Sequence, residues 1–394
     1  MKGNLRVLVT GGRFPGATGL VRALHAAGAT VDAADAYKLA PALHSEAVEQ
    51  RHVVAATASD PLQFARDVAA VVRDRRIDLV VPSFEEGFYL ANYAALVPAP
   101  IFAPDFATIE RLHNKAKFHE VCGELDVPTP KTIVAVDREE LRKAVAVFDT
   151  YLARPAFSRG GTNLLTNFGA RAGEHSPDDF TPTATNPWIV QEFVEGTDAC
   201  SLSIARNGRI VVHCTYEPAI AAAGGWSVKL SSIDDFGGLA LAEKVCAALG
   251  FHGFIGFDFR RTPDERFVMI ECNPRTSAGI FLMPPEWVGE AVIEKPDTPR
   301  TVAAGRRVQY DFDLINRNII RLPARELVRT LLTTPDAFLK PRDVMPALCF
   351  FISNYHWAQV AKREHIDADH AFIGDISWDG TPMPKVEEAQ RPAS

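Results

Sequence analysis

No apolar stretch in this chain approaches the roughly 20 residues needed to cross a bilayer, so a helical membrane protein is excluded and no membrane partner is expected. A basic excess is missing too. Lys and Arg number 42 against 49 Asp and Glu, for a net charge of −7. Nucleic acid as the main partner wants a basic face, and none is expected here. The six cysteines (Cys122, Cys200, Cys214, Cys246, Cys272 and Cys349) are scattered, with no Cys-x-x-Cys and no histidine at zinc spacing. Buried thiols in a reducing cytoplasm are the reading. No charged and apolar leader precedes the first strand, which also points to the cytoplasm. There is no Gly-x-Ser-x-Gly elbow, no histidine in a triad-like context, no internal repeat and no low-complexity tract.

What is present suits a soluble globular chain of two or three domains: 394 residues, 47% hydrophobic and 23% charged. Residues 1–103 alternate strand and helix. Arg6–Thr10, Thr30–Ala34 and Leu79–Pro82 read as strands, and Gly19–Ala27 and Leu62–Arg73 as helices. This βαβ rhythm predicts a parallel, doubly wound sheet. A helix over Phe106–Leu125 leads to a small α/β unit with a glycine loop, the second domain being 104–188. A strand-rich domain (189–300), with a helix at Gly238–Leu249, precedes a mostly helical extension (301–384) and a frayed tail (385–394).

The glycine turn Thr10–Gly19 closes a strand and opens a helix, where a dinucleotide phosphate could sit, with Asp32 and Asp35 placed for a ribose. Its spacing misses Gly-x-Gly-x-x-Gly and Pro15 falls inside the turn. A turn lining part of a substrate pocket is the preferred reading.

The densest chemistry lies in Gly253–Arg275. Two alternating runs, Phe254–Arg260 and Phe267–Asn273, flank a polar connection and predict a β-hairpin. A symmetric hairpin centred between Asp264 and Glu265 sets Asp258 opposite Glu271, an arrangement sequences normally avoid. Asn273 emerges on the same face as Glu271. Two carboxylates and an amide make a hard-oxygen cage suited to Mg²⁺. The same residues also fit a solvated sheet face ended by an Asn-Pro-Arg turn.

Four other segments make sense together with that hairpin. Arg154 precedes a glycine loop with Ser158, Gly160, Gly161 and Thr162, where backbone amides and a cation can hold phosphate. Gln191, Glu192, Phe193 and Val194 end a strand whose backbone can read an adenine edge, with Asp198 placed for the ribose hydroxyls. Lys115 offers a second phosphate cation, and Arg275 puts a guanidinium beside the proposed metal. Singly, each also reads as an edge strand, a solvated pair or a surface lysine.

The order and separation of these segments resemble the ATP-grasp superfamily, from the N-terminal domain to about residue 285. Asp258, Glu271 and Asn273 match its magnesium triad, Gln191–Val194 its adenine hinge, Asp198 its ribose end, and Lys115 the lysine opening the nucleotide-binding half. Arg154 stands where the family usually has lysine, exchanging a compact charge for a planar fork. The resemblance implies an α/β architecture: a Rossmann-like parallel-sheet domain without nucleotide, a small α/β lid, an antiparallel catalytic half and a helical C-terminal extension. It further implies ATP with Mg²⁺ or Mn²⁺, small-molecule carboxylate and amine substrates, and a ligase that forms an amide through an acylphosphate, releasing ADP and phosphate. A non-amine acceptor (thiol, carbamoyl or carboxyphosphate chemistry) and a non-catalytic ATP-binding module are the alternatives. The family is compatible with a homodimer. Arg275 and Lys229 are the candidates for holding a substrate carboxylate or steadying the acylphosphate, and Glu85 or Glu86 for an amine, although acids also simply favour a helix N-terminus. The C-terminal aromatic residues (Phe350, Phe351, Tyr355, Trp357) read as core packing.

Overall fold

The computed structural model describes residues 5–158, 163–221, 227–294, 296, 298–318, 323–366 and 368–386. Among these residues there are three sheets. The first is parallel, ordered β3-β2-β1-β4, from β1 (Arg6–Thr10), β2 (Thr30–Asp35), β3 (Val48–Val53) and β4 (Leu79–Pro82). The second is antiparallel, ordered β5-β8-β6-β7, from β5 (Thr132–Ala135), β6 (Tyr151–Pro155), β7 (Leu165–Thr166) and β8 (Trp188–Glu192). The third holds β9 (Thr197–Arg206), β10 (Arg209–Ala221), β11 (Ser227–Ser232), β12 (Gly253–Arg261), β13 (Phe267–Asn273), β14 (Arg300–Thr301) and β15 (Arg307–Gln309). Its main path runs β13-β12-β9-β10-β11-β15, with β14 pairing β10.

The expected α/β class and parallel first sheet hold. Strand β3 escaped the sequence reading because it is a half-exposed edge strand rich in polar residues. Pro15 does not sit inside a turn; it is the first residue of the helix Pro15–Ala26, where its missing N–H costs nothing.

The single helix expected over Phe106–Leu125 is two, Phe106–His113 and Lys115–Glu124. Asn114 takes extended dihedrals between them, and its side chain caps the second helix by accepting from Lys117 N at 3.1 Å. The break turns the backbone N–H of Lys115 outward, to donate to Ala156 O at 3.1 Å just beyond β6. One polar residue thus ties the start of the second helix to the second sheet.

The chain returns to its beginning at the C-terminal end. Asp375 O accepts from Ala58 N, Trp378 N donates to Glu85, and Tyr89 and Tyr93 donate to Ser377 O and Pro384 O. Beneath this strap Arg13, only 1% exposed, is clamped between Asp35 and Asp375. Burial works against that charge, but the two carboxylates more than offset it and raise the Arg13 pKa. Of the tail expected at 385–394, residues 387–394 lie outside the described residues.

Candidate nucleotide and metal site

The edge strand β13 and its neighbour β12 pair with Asp258 directly opposite Glu271 and Gly256 opposite Asn273. The hairpin is not symmetric, however. From Phe259 on, the partners shift by one, Phe259 facing Met269, so Ile270 is an extra residue on β13. Its loop turns through Glu265 at φ 59°, where Thr262 N donates to Arg266 O. The bulge compensates for a turn centred half a residue earlier than expected.

Across the sheet the pair continues as a row. Asp258 faces Cys200 on β9, and Cys200 faces Tyr216 on β10. All four side chains line a cavity of about 2000 Å³. Neither Cys200 nor Tyr216 was singled out from the sequence, because only long-range register shows that they belong to the row.

Glu271 is the electrostatic centre. Arg154 Nη1 lies 2.8 Å and Lys115 Nζ 3.6 Å from its Oε2. Burial opposes ionisation, yet Lys115 and Arg154 hold the Glu271 carboxyl well below the usual range. Asp258 goes the other way: burial first, then the charge of Glu271, push it up to about 7. The pair therefore behaves as one carboxylate and one acid that holds its proton well above the usual carboxylate range. Asn273 Nδ2 donates to Asp258 Oδ2 at 3.2 Å and its Oδ1 accepts from Arg275 Nη2 at 3.1 Å.

Whether these groups suit a divalent cation can be judged from their own atoms. Glu271 Oε2 is buried, and what faces it among the described residues is two cations rather than a well-aligned hydrogen-bond donor, so the site is built around a negative charge. Two carboxylates and an amide oxygen are hard donors of the kind Mg²⁺ takes. The residues fit.

Around this centre stand the other predicted side chains. Lys115 Nζ donates to Ser158 O at 2.7 Å, and the Ser158 hydroxyl to Pro155 O at 2.8 Å. Gly160, Gly161 and Thr162 lie outside the described residues. Gln191, Glu192, Phe193, Val194 and Asp198 all line the cavity. Asp198 pairs with Arg260 at 2.5 Å, and Arg260 also donates to Val194 O at 3.1 Å and to Gly196 O. Gly196 is at φ 149°, where an added Cβ would come 2.2 Å from Arg261 O, so only glycine lets the strand end bend there.

His119 was missed. Gln191 Nε2 lies 2.6 Å from His119 Nε2 and 3.2 Å from Thr132 Oγ1. Burial, then the nearby Arg154 charge, lower His119 to about 4, so the ring is neutral and accepts from the amide. His119 stands four residues after Lys115 on one helix, hence on the same face. That spacing was the available signal.

Lys229 lies apart from the Asp258–Glu271 cluster. It lies on β11 opposite Ile220 and Gln309, beside Arg307 and Arg329, and is absent from the described residues lining the cavity. Burial and those two guanidiniums lower its pKa. Of the groups whose charge it feels, Arg329 and Glu326 belong to the helix Ala324–Thr333.

Glu85 and Glu86 are not poised for an amine either; both are fully buried. Glu86 accepts from Ser83 N (2.8 Å), Phe84 N (3.1 Å) and Thr10 Oγ1 (2.9 Å), closing the glycine turn. Glu85 accepts from Trp378 N at 3.0 Å and lies 3.6 Å from Arg275 Nε. The ribose acids imagined for a dinucleotide are also occupied: Asp32 by His52 and Arg75, Asp35 by Arg13. Phe14 and Pro15 of the turn do line the cavity.

Comparison with known proteins comes down on the same segment. Residues 112–279 match the model of a family described as ATP-grasp domain. The carbamoyl phosphate synthase large chain of Deinococcus radiodurans is 23% identical over 310 residues, 73% of this chain and 28% of that one. The chain thus spans less than a third of the length of such curated relatives. In three dimensions it resembles N5-carboxyaminoimidazole synthetase from Staphylococcus aureus complexed with ADP (TM-score 0.62, 13% identity, 84% of this chain and 87% of that one). It also resembles an L-amino acid ligase from Bacillus licheniformis (TM-score 0.55, 15% identity, 71% and 69%). At these identities the likeness is one of fold.

Proposed function

We propose that this chain, whose residues 112–279 match the ATP-grasp domain model, is an ATP-dependent ligase joining a carboxylic acid to an amine. The carrying observation is the Asp258–Glu271 pair, facing Lys115 and Arg154 across one cavity with the strand end Gln191–Val194. Asp258, Glu271 and Asn273 would hold Mg²⁺. That ion, when bound, supplies charge neutralisation at the β- and γ-phosphate oxygens.

The chain's own groups do the rest. Lys115 and Arg154 turn from Glu271 to the phosphates and neutralise them, because phosphoryl transfer needs alignment and charge more than covalent help. Gln191, fixed by neutral His119, sets the strand end that reads the base, and Asp198 takes ribose hydroxyls. A carboxylate oxygen of the substrate attacks the γ-phosphorus, the bond to the β–γ bridging oxygen breaks, and ADP leaves. The amine nitrogen then attacks the acyl carbon, the acyl C–O bond breaks, phosphate departs and the amine proton goes to solvent. Arg275 steadies the carboxylate and then the acylphosphate. Excluding water protects that intermediate.

Hydroxylamine trapping tests the scheme. With ATP, Mg²⁺ and a pool of carboxylic acids, hydroxamate and ADP should form in equal amounts without any other amine. ADP formation with no hydroxamate would count against an acylphosphate.

A further inference from the structure

The cavity is about twice the upper size of a usual single-ligand cleft, and its second half is aromatic. The C-terminal helix Met345–Glu364 presents Phe351, Asn354, Tyr355 and Ala358 to it, a spacing of three, four and seven residues that makes one helical face. Another face of this helix, with Cys349, Phe350 and Ser353, is packed into the protein, Phe350 stacking on Phe338 at 4.2 Å. Core packing was expected for all these aromatics; it holds for Phe350 but not for Phe351 and Tyr355, which are 51% and 65% exposed.

Phe14, Phe84 and Arg275 line the same cavity and reach toward the Asp258–Glu271 end. Phe14 and Phe84 stack at 4.3 Å, and the Arg275 guanidinium lies over Phe84 at 4.4 Å. Arg275 in turn donates to Asn273 Oδ1. One cation therefore stands where the metal triad ends and the aromatic wall begins.

We propose that this half binds the body of the acid substrate, and that the substrate is a carboxylic acid carrying an aromatic ring, its carboxylate toward Arg275 and its ring on the Phe351–Tyr355 face. The inference deepens the ligase reading and rests on it. Rings offered at cavity walls gain most from a planar apolar partner, and a guanidinium at the rim selects the acid end. A small acid such as carbonate or propanoate would leave this wall wet.

Calorimetric titration of the full chain, in the presence of Mg²⁺ and a non-hydrolysable ATP analogue, with 3-phenylpropanoate and with propanoate tests it without turnover. The aromatic acid should bind at least about tenfold more tightly, the worth of one stacking contact. Phe351→Ala and Tyr355→Ala should each erase most of that preference while leaving the affinity for the ATP analogue within about twofold. Phe351→Leu repeats the test with packing largely kept. Equal binding of the two acids, no binding of either, or a preference untouched by these variants would overturn the inference. Failure of the ligase reading would look different: the ATP analogue itself would not bind, or Glu271→Gln would not change its Mg²⁺ dependence.

Discussion

Asp258 and Glu271 face each other across β12 and β13 because Ile270 bulges out of the ladder immediately beyond them. Without that extra residue the register set by the turn would move Glu271 off the row that holds Asp258, Cys200 and Tyr216. Two carboxylates are thus held in a position that electrostatics disfavours, and the surroundings answer with two cations on one partner and a shared proton on the other.

The Asp258 proton should be visible in stability. Its pKa is about 7 in the folded chain against 3.8 when unperturbed. Between those values the folded state holds a proton that the unfolded state has released, so stability falls as pH rises through the window. His119, lowered to about 4 from 6.5, works oppositely up to its unperturbed value. The comparison is therefore with Asp258→Asn, which keeps His119. In urea unfolding, wild type should lose stability relative to this variant between about pH 5 and about pH 7.5. A pH-independent difference would show that Asp258 does not carry the proton.

Mg²⁺ should reverse that loss. At about pH 7.5, millimolar Mg²⁺ should raise the melting temperature of wild type by a few degrees through mass action. Glu271→Gln should respond far less. Equal shifts in both proteins would place the cation elsewhere.

His119→Ala should weaken ATP binding several-fold with kcat little changed, since His119 acts through Gln191. His119→Asn, which keeps an acceptor, should recover part of the loss. A fall in kcat with an unchanged KM for ATP would contradict the positioning role.

Arg13→Met should leave Asp35 and Asp375 buried without their partner. Breaking a buried pair this way costs about 3–5 kcal/mol, readable as a shift of the urea midpoint. Because Arg13 ties the C-terminal strap to the first sheet, proteolysis near residues 372–384 should also become faster. An unshifted midpoint would mean that the clamp contributes nothing.

The gathering of Asp258, Glu271, Arg154 and Gln191–Val194 around one cavity was legible because its signals are local. An alternating hairpin, a cation before a glycine loop and a polar strand end each sit within about twenty residues. The Asp258–Glu271 pairing was read correctly from a hairpin centre that was slightly wrong, since the bulge at Ile270 restored the register. The place of Lys229 on β11 was not legible, because a glycine turn before a lysine says nothing about which side of the sheet the lysine faces. The second half of the cavity was illegible for a different reason. Phe14, Phe84, Phe351 and Tyr355 are brought together from the two ends of the chain, and sequence periodicity cannot tell a helical face turned to a core from one turned to a cavity. Even the split at Asn114 had a local mark, a capping residue before Lys115, that a continuous apolar pattern concealed.

The central claim rests most directly on which nucleotide the chain makes from ATP. Wild type should convert Mg-ATP to ADP and phosphate only when both a carboxylic acid and an amine are supplied, and Glu271→Gln should lower that rate by a factor of about 10² or more. AMP and pyrophosphate as products, or turnover that survives Glu271→Gln, would contradict it.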